Sequence, residues 1–213
     1  MFPWMSYFSF SLCFNSTQLE STHESFGEGP YKIEFKLDFP IDGGQHDTFV
    51  VELAPLDLMP HAVYYFLEQV RLKLLDGTSF HRNAGHVVQA GPAAPYKPIP
   101  SNPNPRQRYN KASFTAIAFQ EYSAQFPHVK YTIGLAGRPG GPDWYVSTVD
   151  NTRNHGPGGQ GSYAVKDEAD PCFGKVIEGF NVIDRLLQQP VKPGGYRAMK
   201  QNVAIVYAKL LQN

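Results

Sequence analysis

The sequence predicts a mainly β fold, in which short antiparallel strands close into a barrel that two α-helices cap. Apolar and polar residues alternate over 31–39, and a second strand is predicted over 47–53, across a turn at Gly43-Gly44. From Met59 the apolar spacing becomes helical, which predicts a helix of about four turns that ends near Asp76-Gly77. Many short strands together with two helices are typical of a closed, capped barrel.

The remaining elements follow the same pattern. Further strands are predicted at 113–119, 131–136, 144–149, 172–176 and 203–207, and apolar residues between 180 and 187 predict the second helix. The segment 92–105 contains six prolines, which exclude a central strand or helix. A long loop is predicted from Asp150 to Asp170; its glycine-rich stretch 156–161 lacks the Lys-Ser/Thr that a phosphate-binding loop requires.

Length and composition predict one domain. The chain has 213 residues, with 19 Lys and Arg against 19 Asp and Glu. We assign 1–30 to an apolar N-terminal segment and a polar linker, and 31–213 to the domain. Without a basic cluster, a nucleic-acid partner is not expected. Two cysteines, Cys13 and Cys172, provide neither a disulfide framework nor metal-ligand spacing, so no metal or other cofactor is expected.

The first 14 residues are apolar and aromatic but too short to span a membrane. They lack the basic start of a signal peptide. One interpretation is an incomplete secretory signal or the remnant of a longer anchor, and the other is a disordered or misassigned start. The expected compartment is accordingly either secretory or cytoplasmic, and the sequon at Asn15 matters only in the first case.

A polar pair on apolar strands is the strongest functional indication. The runs 78–82 and 87–91 are joined by Asn83-Ala84-Gly85, a connection typical of a β-hairpin. Arg82 and Gln89 can therefore lie close together across the two strands, as side chains of a site do. The alternative is a surface arginine paired with a nearby carboxylate such as Asp143.

This hairpin belongs to an ordered set of motifs. It is followed by segments 131–136, 143–147 and 172–180, the last with the sequence CFGKVIEGF. In order and spacing these motifs resemble the cyclophilin family of peptidyl-prolyl cis-trans isomerases, and the resemblance extends from Tyr31 to Leu211. It implies an eight-stranded barrel, an isomerase acting on X-Pro bonds of proteins during folding, and Arg82 as the catalytic residue.

The chemistry of such an isomerase suits an arginine. Rotation about an X-Pro amide has a barrier of about 18–20 kcal/mol because the C–N bond has partial double-bond character. A donor directed at the prolyl nitrogen lowers this barrier without a nucleophile or a general base. The guanidinium of Arg82 is a permanently charged, rigid donor. Gln89 would orient it or bind the substrate backbone.

The resemblance also implies which residues bind substrate, and here the sequence departs from the family. His86 and Val87 stand where the family has phenylalanine and methionine, and Ala136 and Gly137 where it has alanine and asparagine. Asp143 and Tyr145 replace a glutamine and a phenylalanine, and Asp170 replaces a histidine. The substrate-binding residues implied by position are His86, Val87, Gln89, Ala136, Gly137, Asp143, Tyr145 and Asp170.

These departures leave alternatives open. His86 either contacts substrate or is a packed imidazole, and His128 and His155 are expected in separate loops. The chain is either an isomerase or a catalytically weak or inactive module that binds segments containing proline and glycine. The family's rim tryptophan has no secure match, although Tyr163 or Val165 could lie nearby, so weak cyclosporin binding is expected. We expect proline-containing peptides as partners and a monomeric domain.

Overall fold

The structure is a computed structural model, which describes residues 19–40, 45–92, 104–118, 121–160 and 168–211. Five helices and eight strands occur in these ranges. The strands are β1 Lys32–Phe39, β2 Gln45–Leu53, β3 Ser79–Asn83, β4 Val87–Gly91, β5 Thr132–Gly137, β6 Gly140–Ser147, β7 Cys172–Glu178 and β8 Ala198–Leu211. The helices are α1 at 19–26, α2 Pro60–Arg71, α3 Pro105–Lys111, α4 Thr152–His155 and α5 Phe180–Leu187.

The strands form a closed antiparallel barrel in the order β1-β2-β7-β5-β6-β4-β3-β8. Strand β1 closes it, because it pairs with β2 on one side and with β8 on the other. Alternate residues of β1 point inward, and Ile33, Phe35 and Leu37 are fully buried. The predicted fold class, an eight-stranded antiparallel barrel, is therefore confirmed.

Aromatic rings fill the interior. Trp144 is fully buried and lies 5.2 to 5.5 Å, between ring centroids, from Phe35, Phe66 and Phe80. The buried face of α2, which includes Phe66, brings this helix into the same cluster. Such rings bury large apolar areas, and their tilted and edge-to-face contacts add to the stabilisation. A rigid core of this kind provides a fixed platform for side chains on its outer face.

Several predicted elements differ in the structure, and the described residues contain five helices where two were predicted, including α4 within the segment predicted as a loop from Asp150 to Asp170. The helix predicted to end near Asp76-Gly77 ends at Arg71, soon before Lys73 adopts a left-handed backbone with φ 53°. The prediction of a strand over 113–119 is wrong, because the described residues 113–118 are irregular. Part of the predicted N-terminal linker is helical, at 19–26.

Several predictions concern residues outside the described ranges. They are the apolar segment at 1–14 with the sequon at Asn15, the Gly43-Gly44 turn, most of the proline-rich segment, and Tyr163 and Val165, the residues considered for the position near the family's rim tryptophan. In the described part of the chain, no helix is both long enough and apolar enough to span a membrane.

Candidate active site

Three neighbouring strands bring the central site residues into one row. Arg82 on β3 pairs with Gln89 on β4, and Gln89 pairs with Tyr145 on β6. Directly paired residues of adjacent strands project from the same face of a sheet. The residue next to Tyr145, Trp144, points into the core, so this row lies on the outer face of the barrel.

Arg82 and Gln89 are hydrogen-bonded, as the predicted hairpin indicated. Nη1 of Arg82 donates to Oε1 of Gln89 at 3.1 Å. Nε2 of Gln89 in turn donates to Oδ2 of Asp143 at 3.1 Å, which fixes the orientation of the amide. Arg82 therefore reaches Asp143 through Gln89, and the alternative of a direct surface pair between the two is not what the structure contains.

Two glycines leave the space that this row occupies. A Cβ atom on Gly91, whose φ is +139°, would lie 2.2 Å from Oδ1 of Asp143. A Cβ on Gly134 would lie 2.6 Å from the hydroxyl oxygen of Tyr145. Both distances are shorter than real Cβ contacts allow, so any larger residue would displace the site side chain.

The row borders a cavity of about 310 Å³, a size within the range of about 300–1,000 Å³ of small-ligand pockets. Of the residues proposed from sequence, those that line it are Arg82, Val87, Gln89, Ala136, Gly137, Tyr145 and Asp170. Asp143 lines an adjacent cavity of about 630 Å³, which shares Gln89 and Ala136 with the first. The structure thus gathers most of the sequence-predicted site at one place.

His86 lies beside this cavity rather than in its lining. Its ring stacks on the ring of His155 at 5.4 Å between centroids. Burial lowers the pKa of His86 below its ordinary value, and the neighbouring His155 lowers it further. Of the two interpretations of His86, this geometry is that of a packed imidazole; its contact with substrate remains a prediction.

Asp170 stands at the centre of a buried polar cluster. Its carboxylate accepts hydrogen bonds from Nε of Arg138 at 2.8 Å, from the Tyr145 hydroxyl at 2.9 Å and from Nδ1 of His155 at 2.5 Å. Burial by itself would raise the pKa of Asp170, but the bonds from His155, Arg138 and Tyr145 outweigh it and hold the pKa below its ordinary value. Asp170 is therefore an ionised anchor for the wall of the cavity.

The cavity is also lined by four residues that were not predicted as site residues: Arg138, His155, Gln160 and Glu168. Arg138 holds the loop around them, because its guanidinium also donates to the carbonyl oxygens of Gly159, Glu168 and His155. His155 and His128, expected in separate loops, lie 5.7 Å apart between ring centroids. No local pattern signals these contacts, since they depend on where the segment after β6 returns to the barrel.

His155 has one atom without a partner. His155 is 4% exposed, and its Nε2 is buried and makes no hydrogen bond to any described residue.

Within the described ranges, no three His, Cys, Asp or Glu side chains are grouped so that they could hold a metal ion. The site consists of a fixed cationic donor, an amide and an aromatic floor, which can bind and polarise a peptide bond.

Comparisons with known proteins identify a matching family and similar structures. The family model described as cyclophilin type peptidyl-prolyl cis-trans isomerase/CLD matches residues 37–210. A crystal structure of a cyclophilin type peptidyl-prolyl cis-trans isomerase from Cryptosporidium parvum is similar, with a TM-score of 0.59, 14% sequence identity, and coverage of 86% of this chain and 99% of that one. A second crystal structure of that protein, in the presence of the dipeptide Ala-Pro, has the same TM-score and identity and covers 85% and 99%. No curated protein matches the sequence.

Proposed function

This chain belongs to the cyclophilin-type peptidyl-prolyl cis-trans isomerase family, an isomerase family, and we propose that it catalyses rotation about X-Pro bonds of proteins at the cavity beside Arg82. The observation that carries the proposal is the fixed guanidinium at the wall of this cavity, which is hydrogen-bonded to Gln89 and shares the cavity with the aromatic ring of Tyr145. The substrates we propose are proline-containing segments of other proteins. A relative's crystal structure in the presence of Ala-Pro supports this substrate class.

In the proposed mechanism, the proline ring lies against Tyr145 and Val87, and Arg82 donates to the prolyl nitrogen as that atom loses its conjugation with the carbonyl. A guanidinium has five N–H donors. Two of them are engaged by Gln89 and by the carbonyl oxygen of Tyr196. The remaining donors are those we assign to the substrate. Because the donor is held in place before the substrate arrives, little reorganisation is required in the transition state.

A second candidate function, a module that binds proline-containing segments without useful turnover, is favoured by one observation. Both polar groups of the Gln89 side chain are already engaged, Oε1 by Arg82 and Nε2 by Asp143. A substrate backbone must therefore compete with Asp143 for this amide. If that competition fails, the cavity binds peptide but does not hold it in the geometry that rotation requires.

Exchange NMR on a panel of X-Pro peptides separates the two candidates. An isomerase at a few per cent of the peptide concentration produces exchange cross-peaks between the cis and trans resonances. These are absent from the peptide alone, since uncatalysed exchange takes tens of seconds or longer. A binding module shifts and broadens the peptide resonances without these cross-peaks. If no peptide of the panel shows either cross-peaks or shifted resonances, both candidate functions are contradicted.

We also propose that the domain is monomeric and binds cyclosporin weakly. In this family a rim tryptophan offers cyclosporin an indole N–H and an apolar face. Trp144 is fully buried in the core and unavailable for this contact. We expect affinity about two orders of magnitude below that of relatives with the tryptophan. Calorimetric titration measures it, and nanomolar affinity would contradict the proposal.

A further inference from the structure

Arg82 has a second neighbour, Tyr196, in the connection between α5 and β8. Nε of Arg82 donates to the backbone carbonyl oxygen of Tyr196 at 3.0 Å. The guanidinium carbon also lies 5.3 Å from the centroid of the Tyr196 ring, within the range of a cation–π contact. The guanidinium is thus held at one end by Gln89, through Nη1, and at the other by Tyr196.

The backbone fixes this part of the connection on β3. The N–H of Asn83 donates to the carbonyl oxygen of Arg197 at 3.1 Å, and Nε of Arg197 donates to the carbonyl oxygen of Asn83 at 2.8 Å. Asn83 follows Arg82 directly in the chain. Tyr196 is therefore placed beside Arg82 by one main-chain bond and one side-chain bond between Arg197 and Asn83, without any need for its ring to enter the core.

The ring itself is largely open to solvent. Tyr196 is 59% exposed, the highest value among the large hydrophobic side chains of the described residues that are exposed. An exposed aromatic ring next to a binding cavity offers a flat apolar surface that a peptide side chain can cover. This surface lies on the side of Arg82 away from Gln89, so a peptide with its proline in the cavity would extend over it in one of its two directions.

We infer that Tyr196 is a specificity-determining residue: its ring helps to orient Arg82 and packs against the side chain that flanks the proline, so that apolar and aromatic flanks are preferred over glycine. The inference deepens the proposed function and rests on it for the identity of the ligand. The preference for certain residues beside the proline is a property of peptide binding, so it can be measured without turnover.

Two substitutions isolate the ring. Tyr196→Ala removes it but keeps the carbonyl oxygen that accepts from Arg82, whereas Tyr196→Phe keeps both. Phe180→Ala is the matched control, because Phe180 is also an exposed aromatic, 42% exposed, that packs on Tyr131 instead of Arg82. The probes are peptides with phenylalanine, leucine or glycine immediately before or immediately after a single proline, and their dissociation constants are measured by NMR titration.

We expect the wild type to bind a phenylalanine flank about fivefold more tightly than glycine at one of the two positions. Tyr196→Phe and Phe180→Ala should keep this preference, and Tyr196→Ala should reduce it to less than about twofold. An equal preference in wild type and Tyr196→Ala, or no preference in the wild type, would overturn the inference. Exchange cross-peaks recorded on the same samples report turnover separately, so loss of the preference and absence of isomerase activity are distinguishable.

Discussion

The side chains of Gln89 and Asp143 are hydrogen-bonded at 3.1 Å, with the amide nitrogen donating and the carboxylate accepting. A carboxylate accepts only, so this bond determines which end of the amide faces Arg82. The oxygen is the end that can accept from a guanidinium, and it does so at 3.1 Å. Asp143 therefore sets the orientation of Arg82 through Gln89, although it does not line the same cavity.

We predict that Asp143→Ala lowers kcat/KM for X-Pro isomerisation about three- to tenfold, because the amide of Gln89 loses an acceptor and can rotate. Asp143→Asn keeps an acceptor oxygen at this position and should retain most of the activity. Protease-coupled assays give kcat/KM, and melting temperatures of both variants establish that the fold is intact. Unchanged or increased kcat/KM in a folded Asp143→Ala protein would contradict the orienting role, and an increase would indicate that Asp143 competes with the substrate for the Gln89 amide.

Acidification should destabilise the protein through His128. The pKa of His128 is lowered to about 4, chiefly by burial and to a smaller extent by the neighbouring His155. The unfolded chain, with an ordinary histidine pKa of about 6.5, binds more protons than the folded one between these values. Stability is therefore lost as pH falls through this window, by about 2 kcal/mol between pH 6.5 and 5.

Urea unfolding at a series of pH values measures this loss. His128→Gln retains an amide donor for the carbonyl oxygen of Asp170, which Nε2 of His128 contacts at 2.8 Å. The variant has no titrating group at position 128, so its stability should depend less steeply on pH below 6.5. Parallel pH profiles for wild type and His128→Gln would rule out this origin.

Glu121 should have the opposite effect. Burial raises its pKa to about 7, against hydrogen bonds from the backbone N–H groups of His61 and Ala62 in the first turn of α2. The folded chain then binds more protons than the unfolded one between the ordinary pKa of 4.5 and about 7. This contribution is present at low pH and is lost as pH rises through that window.

The test compares the wild type with Glu121→Gln, which stays neutral. The difference in unfolding free energy, variant minus wild type, should rise by about 2–3 kcal/mol between pH 5 and 8. Because Gln provides one acceptor oxygen for two N–H groups, its absolute stability can differ at every pH. The informative quantity is the slope, and a constant difference would show that Glu121 is ionised in the folded state throughout.

Much of the barrel could be predicted from local patterns. The alternation in β1 indicates a strand with one buried face, and the buried Ile33, Phe35 and Leu37 are that face. The local pattern over 113–119 also predicted a strand, and only the closure of the barrel shows why none forms there. Every strand of the closed barrel already has two neighbours, so no edge is left for another. Residue Ile117 donates a single backbone bond, to Gly140.

The predictability of the site residues likewise depends on how far apart they are in the sequence. Arg82 and Gln89 lie on one hairpin, so short-range spacing is enough to place them together. Arg138, His155 and Asp170 meet only because the loop after β6 folds back before β7 begins. A sequence pattern contains no signal for such a return, and His155 was consequently expected in a loop apart from His128.

The catalytic role of Arg82 is tested by measuring X-Pro isomerisation by wild type, Arg82→Ala and Arg82→Lys. The matched control is Arg153→Ala, because Arg153 is an exposed arginine on α4. Arg82→Ala should lower kcat/KM at least about tenfold, equivalent to about 1.4 kcal/mol of transition-state stabilisation, with little change in melting temperature. Arg82→Lys should recover only part of the activity, because an ammonium keeps the charge but not the rigid multiple donor. Arg153→Ala should match the wild type. Wild-type turnover that persists unchanged in Arg82→Ala would contradict the assignment of Arg82 as the catalytic residue.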